Sequence, residues 1–366
     1  MTTPEPRPGV MSIPIYQSGK FQIKGASRVA KLAANEGALG PSPNAIEAYN
    51  SGSGDLHRYP VGPADGLREA IAEVHGIDAG RIICGAGSDE LLCLLCRTYA
   101  GPGDEVVYTR HGFLVYEIYA KGVGATPIAV PETNLTANVD AILAAVTQRT
   151  KIVFLANPNN PTGTYLSASE LARLRNDLRE DIVLVVDAAY AEFATSSDYD
   201  SGLDLASTTS NTVMTRTFSK IYGLASLRLG WAYGPKSIIH TVEHLRSPFN
   251  VTTAAQLAGI GAVRDQKHIQ RARDHNTKWC DIALQRLRGL GLKVNETSAN
   301  FVLPEFPTVA NRTAKDADAF LQSKGVVVRR VDSYGLPNHL RITIGDDEDM
   351  NQVLDALTEF MSGKRG

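Results

Sequence analysis

The segment Thr217-Phe218-Ser219-Lys220-Ile221-Tyr222-Gly223-Leu224-Ala225-Ser226-Leu227-Arg228-Leu229-Gly230 sets one lysine on a glycine-punctuated turn, between hydroxyl side chains and an arginine eight residues on. These types in this order suit a lysine that condenses with the aldehyde of a phosphorylated cofactor. The amine forms the Schiff base, while Thr217, Ser219 and Arg228 neutralise the phosphate. A Ser-Lys pair alone is commonplace, and most such lysines are solvated surface charges. A second constellation upstream changes the weighing: Asn157-Pro158-Asn159-Asn160-Pro161-Thr162-Gly163, then Val185-Val186-Asp187-Ala188-Ala189-Tyr190. Asp187 has the type needed to hold a protonated pyridine nitrogen, which keeps the ring an electron sink, and Asn160 and Tyr190 can hydrogen-bond a phenolate oxygen on the same ring. Phe113, in His111-Gly112-Phe113-Leu114-Val115-Tyr116, either stacks on the ring face or packs as ordinary core. Ala86, Gly87 and Ser88 lie in Gly85-Ala86-Gly87-Ser88-Asp89-Glu90, where backbone N–H groups at a helix start form a phosphate cradle. As a dinucleotide fingerprint that string is incomplete, with no strand-end acid about twenty residues later. Taken together the residues describe a site for pyridoxal 5'-phosphate.

Elements able to hold these residues are legible. Strands are expected at Arg81 to Cys84, Glu105 to Thr109, Lys151 to Ala156, Ile182 to Asp187, Thr212 to Thr217 and Leu229 to Tyr233. Helices are expected at Asp89 to Tyr99, 113–122 and Ser169 to Leu178. Such alternation predicts an α/β fold with a mostly parallel sheet covered on both faces. Ligands of such sheets lie at the carboxyl ends of the strands, where Asp187 falls. From about residue 252 the pattern changes to a long charged helix (264–289), short strands (292–294, 299–303, 326–329, 339–344), a helix at 314–324 and a closing helix from 347. This reads as a smaller α+β domain. The expected division is an N-terminal arm (1–44), a large cofactor domain (45–255) and a small C-terminal domain (256–366), with a shared interface.

Composition sets the bounds. The chain has 366 residues, 43% hydrophobic and 21% charged, with a net charge of −2. That balance gives no electrostatic reason to bind nucleic acid or anionic membrane, and no apolar run approaches the roughly 18 residues of a membrane span. Met1 to Val10 lacks a basic-then-apolar export pattern, so a cytoplasmic protein is expected. Cys93 and Cys96 lie in an apolar helical run without a second ligand pair; with Cys84 and Cys280 they read as buried thiols, and no metal site is expected.

The Asn157-to-Gly163 string, the Asp187-x-x-Tyr190 pair, the Lys220 segment and Leu340-Arg341-Ile342-Thr343 resemble fold-type I pyridoxal-phosphate aminotransferases in order and spacing. Asn35-Glu36-x-x-Leu39-Gly40-Pro41-Ser42-Pro43, Arg58-Tyr59-Pro60, Gly87-Ser88-Asp89-Glu90 and Gly325-Val326-Val327-Val328-Arg329 are similar to the histidinol-phosphate aminotransferase subfamily. The resemblance spans roughly residues 10 to 360. It implies that Lys220 is the Schiff-base lysine, Asp187 the pyridine partner, Asn160 and Tyr190 the ligands of the ring oxygen, and Phe113 the stacking ring. Ala86, Gly87, Ser88, Thr217, Ser219 and Arg228 are implied around the phosphate, with Tyr59 reaching it from the partner subunit of a homodimer with shared active sites. Substrate residues are implied at Tyr16, Asn35, Arg329 and Arg341, the arginine forks suiting carboxylate or phosphate. Arg329 and Arg330 are adjacent, so only one can face the site, and the subfamily match selects Arg329. The implied reaction moves the amino group of L-histidinol phosphate to 2-oxoglutarate, giving imidazole-acetol phosphate and L-glutamate, a step of histidine biosynthesis. An aromatic amino-acid aminotransferase would share every cofactor residue, and a phosphothreonine decarboxylase-like lyase would share the scaffold. Two departures stand out: Asn35-Glu36-Gly37-Ala38 lacks the proline usual in the entry loop, and Asp187-Ala188-Ala189-Tyr190 lacks the usual glutamate.

Overall fold

The computed structural model describes residues 3–15 and 28–363. Its strands are β1 (Ala30–Leu32), β2 (Ile82–Gly85), β3 (Glu105–Thr109), β4 (Thr126–Val130), β5 (Thr150–Ala156), β6 (Val183–Asp187), β7 (Thr212–Thr217), β8 (Gly230–Tyr233), β9 (Phe301–Val302), β10 (Val326–Arg330) and β11 (Leu340–Thr343). Seven of them form one sheet in the order β2-β8-β7-β6-β5-β3-β4. The β4-β3-β5-β6-β7 run is parallel, and β8 pairs antiparallel with both β7 and β2.

Alternation along these strands shows why both faces are covered. Ile152 and Phe154 of β5 join Leu91, Leu95 and Tyr116 from the helices Ser88–Tyr99 and Val115–Val123 on one face. Val153 and Leu155 join Ile142, Leu171 and Leu174 from the helices Val139–Ala145 and Ala168–Asp177 on the other. A third cluster packs Ile82, Met214 and Trp231 against the helices Asp65–His75 and Thr253–Arg264. Each buried aliphatic side chain contributes about 1.5–3 kcal/mol, so the sheet centre is the rigid base of the molecule.

The smaller sheet runs β1-β10-β11-β9. It is backed by the helices Gln266–Gly289, Ala314–Ser323 and Asp347–Ser362, through Leu284, Leu321 and Leu354. A capping box between Thr313 and Asp316 fixes the start of the middle helix. β1 and β4 were not anticipated from the sequence. β1 has only three residues and is a strand because it pairs parallel with β10. The expected strand at 292–294 is reduced to a single bridge, Lys293 to Glu305. Among the thiols, Cys84, Cys96 and Cys280 are buried, but Cys93 is half-buried, because it lies on the flank of its helix.

Candidate active site

An open cleft lies between the carboxyl ends of β5, β6 and β7, whose last residues Ala156, Asp187 and Thr217 line it, and Arg329 of β10, Arg341 of β11 and Tyr334 between them. Parallel strands carry their final residues to one edge, so Asp187 and Thr217 arrive there by register rather than by loop geometry.

Asp187 is only 4% exposed. Tyr116 donates to its Oδ2 at 2.8 Å and Thr215 to its Oδ1 at 3.2 Å. Burial pushes its carboxyl up to about 6, against the lowering effect of those two donors. A buried carboxylate in this condition is stabilised by a cationic N–H placed against it. Tyr116 is itself fixed by stacking on Phe154, with ring centres 4.8 Å apart.

Lys220 follows β7 on the expected turn, and its Nζ donates to Ala34 O at 3.2 Å. Burial, with Arg341 and Arg228 adding repulsion, lowers its amine to about 7, so a substantial fraction is the free nucleophile at neutral pH. The segment holding Ala34 runs against the lysine turn at backbone distance. A Cβ on Gly37 would meet Lys220 O at 2.6 Å, so glycine just before Ala38, the position where proline is usual, lets the entry loop lie flush on the lysine turn.

One corner of the cleft is built for an anion. Ser88 opens the helix Ser88–Tyr99 behind Gly87, whose φ of 86° sets the turn, and a Cβ there would meet Arg228 Nη2 at 2.5 Å. Arg228 Nη1 donates to Ser219 Oγ at 3.2 Å, and Ser219 N donates to Thr217 Oγ1 at 3.1 Å. Ala86 and Gly87 shape this corner without lining the cleft: Ala86 N donates to Glu90 Oε2 at 2.6 Å and Gly87 N to Gly85 O at 2.8 Å. The helix-start N–H groups beyond them, from Ser88 and Asp89, are the donors the geometry offers. Asp89 was missed from the sequence, as was Tyr119, which also lines the cleft and donates to Asp89 Oδ1 at 2.7 Å. The Gly87-Ser88-Asp89-Glu90 string contained the signal for Asp89. Tyr119 sits in a helix whose facing depends on packing.

At the other end, Tyr190 is buried against Phe301 and accepts from Asn35 Nδ2 at 2.8 Å. Asn35 is clamped by β11, its N donating to Thr343 Oγ1 at 3.0 Å. Asn160 Oδ1 accepts from Arg341 Nη1, and Arg341 Nη2 donates to Ala33 O at 2.7 Å. Arg341 Nε is buried without a partner among the described residues. Arg329 is the cross-strand partner of Arg341, so the two side chains share a sheet face, and both line the cleft. Arg330 turns the other way and pairs with Asp332, its Nε at 2.9 Å from Oδ2. Phe113 lines the cleft, edge-on to Tyr116 at 6.1 Å. Tyr59 is not part of this chain's own cleft: it is 82% exposed and stacks on Phe249 with ring centres 4.7 Å apart. Tyr16 lies outside the described residues.

These residues fit pyridoxal phosphate. The buried carboxylate, the glycine-floored anion corner and the amine between them match the pyridine nitrogen, the phosphate and the aldehyde of one molecule. Among the described residues no group of three His, Cys, Asp or Glu side chains could hold a metal ion.

Residues 27–357 match the family model of aminotransferase class I and II, and the chain belongs to this family. It is 54% identical over 361 residues to a protein named histidinol-phosphate aminotransferase from Rhodospirillum rubrum, covering 99% of this chain and 98% of that one. A protein of the same name from Paramagnetospirillum magneticum is also 54% identical, covering 99% of both chains. Among solved structures, histidinol-phosphate aminotransferase from Sinorhizobium meliloti in complex with pyridoxal-5'-phosphate superposes with a TM-score of 0.86 at 26% identity, covering 92% of both chains.

Proposed function

We propose that this protein is a pyridoxal-phosphate-dependent aminotransferase that takes the amino group of L-histidinol phosphate and delivers it to 2-oxoglutarate, in histidine biosynthesis. The observation that carries the reading is the arginine pair: Arg329 and Arg341 are opposed across β10 and β11 and line the cleft that holds Lys220. Two guanidinium forks suit the phosphate of one substrate and the two carboxylates of the other.

Asp187 would hold the pyridine nitrogen, Asn160 and Tyr190 the ring oxygen, and Ser88, Asp89, Thr217, Ser219 and Arg228 the phosphate. Bound there, pyridoxal phosphate supplies an aldehyde that condenses with amines and a ring that withdraws electrons from the adjacent Cα–H bond. Lys220 Nζ, lowered to about 7, is matched to taking and returning the Cα proton near neutral pH. Arg341 orients the anion beside that carbon, and Asn35, fixed by Thr343, ties Tyr190 to the small domain so that the lysine faces a constant geometry.

The same reading makes the protein a homodimer with shared sites. Tyr59 stacks on Phe249, Leu56 and Val61 close to it in sequence are also exposed, and Tyr59 is positioned at the surface to reach a second copy's anion corner. The division into arm (1–44), large domain (45–255) and small domain (256–366) belongs to this proposal. So does a cytoplasmic setting, which four free cysteines favour. No described helix is long and apolar enough to cross a membrane.

Glutamate formation from L-histidinol phosphate and 2-oxoglutarate, measured beside phenylalanine and phosphothreonine as donors, tests the reading. Preferred turnover of histidinol phosphate supports it. Preferred turnover of phenylalanine, or carbon dioxide release from phosphothreonine, refutes it.

A further inference from the structure

Three carboxylates and four cationic side chains line the cleft. Asp187 is engaged by Tyr116 and Thr215, and Asp89 accepts from Tyr119. The third carboxylate, Glu36, is exposed at the mouth, and among the described residues no side chain pairs with it. Its backbone is nonetheless held firmly: Asn300 Nδ2 donates to Glu36 O at 3.0 Å and to Asn35 O at 3.1 Å, and the following Gly37 lies against Lys220 O. A carboxylate on a fixed loop, within the electrostatic reach of the lysine and without a partner of its own, is placed for a ligand rather than for the fold.

We propose that Glu36 is a specificity-determining residue whose carboxylate accepts a hydrogen bond from the imidazole of the substrate. This rests on the histidinol-phosphate reading above. In that substrate the phosphate goes to the arginines and the amine would condense with the cofactor aldehyde in place of Lys220, which leaves the imidazole as the one polar group without a partner. An imidazole ring always carries an N–H donor, and with a pKa near 6.5 it is part cationic around neutrality. A phenyl ring of the same size can fill the same volume against Phe113, Tyr119 and Tyr334 but donates nothing. The carboxylate would then discriminate by leaving itself unpaired against the wrong ring. Glu36 is exposed, so water softens that loss, and the expected discrimination is roughly tenfold to a hundredfold rather than the far larger factors of sealed polar pockets.

The test uses the holoenzyme and two alcohol phosphates that differ only in the ring, L-histidinol phosphate and L-phenylalaninol phosphate. The ratio of their kcat/KM values is compared between the wild type and Glu36→Met, which keeps the chain length and removes both acceptor oxygens at an exposed position. Calorimetric binding of two amine-free analogues, 3-(imidazol-4-yl)propyl phosphate and 3-phenylpropyl phosphate, gives the same ratio without turnover. Both ratios should fall by roughly tenfold or more in Glu36→Met, with the loss in KM rather than kcat. Turnover of both phosphates with an unchanged ratio overturns the role of Glu36 and leaves the proposed function standing. Failure of both phosphates beside good turnover of phenylalanine overturns the proposed function and this inference with it.

Discussion

Replacing Asp187 with asparagine should have opposite effects on the cofactor-free and cofactor-loaded protein. Without cofactor the carboxylate is buried at 4% exposure, and its pKa is raised from 3.8 to about 6. For an acid whose folded pKa lies above its unfolded one, the folded state keeps its proton longer. Stability therefore falls as pH rises from about 4 to about 6 and stays at the lower level above that. A rise of about two pH units, which already counts both donors, corresponds to about 3 kcal/mol, and leaving the Tyr116 hydroxyl facing the amide without its acceptor oxygen offsets about 1 kcal/mol of the relief. Asparagine should then stabilise the cofactor-free protein by about 2 kcal/mol at pH 8 and by little at pH 4. With an unfolding entropy of about 2.1 cal/mol/K per residue this is a Tm rise of about 2–3 °C. In the loaded protein the sign reverses. An amide cannot hold a pyridinium proton, so cofactor affinity should fall by roughly tenfold to a hundredfold, and turnover by at least as much. Scanning calorimetry at pH 4 and pH 8 reads the first effect, and absorbance titration with pyridoxal phosphate reads the second. A lower Tm for the cofactor-free variant at pH 8, or wild-type cofactor affinity, would refute the assigned role.

The two arginines should separate by substrate. Arg329→Ala is expected to raise KM for histidinol phosphate and 2-oxoglutarate by roughly tenfold to a hundredfold while barely changing phenylalanine, whereas Arg341→Ala should harm every donor and also free Asn160; steady-state kinetics on the three substrates decides. Gly37→Ala puts a Cβ at 2.6 Å from Lys220 O and should displace the entry loop, cutting kcat/KM without lowering Tm by more than a few degrees; unchanged kinetics would contradict the close approach. Mixing inactive Lys220→Ala chains with chains inactivated at Tyr59 should restore activity, because both lesions can fall on one site of a heterodimer; no rescue, or a monomer in sedimentation, would remove the shared-site reading. If Tyr59→Phe alone is harmless, Tyr59→Ala serves in its place.

What the sequence makes legible is unequal for physical reasons. β5 and β6 carry uninterrupted apolar runs that must be covered on both faces, and β3, β5, β6 and β7 all fall within a residue or so of expectation, so Asp187 and Thr217 are carried to the cleft by strand ends alone. β1 is a strand only through its partner β10, nearly three hundred residues away, and no local periodicity in Ala30-Lys31-Leu32 announces it. Cross-strand register decides the Arg329–Arg330 ambiguity in space: Arg329 stands opposite Arg341, while Asp332 takes Arg330. Ala86 reads as a phosphate donor in the string, but the Glu90 carboxylate four residues on reaches back to its N–H. Tyr116 and Tyr119 enter the site from a helix whose apolar face is set by packing against β3 and β5, and nothing in their local sequence says which tyrosine meets which carboxylate.

Lys220 is the residue on which cofactor binding should depend most directly. Borohydride reduction of the pyridoxal-phosphate-loaded protein, followed by peptide mapping, should place the pyridoxyl label on the peptide containing Lys220 and on no other. A label on a different lysine, or none at all in protein that has bound the cofactor, would contradict it.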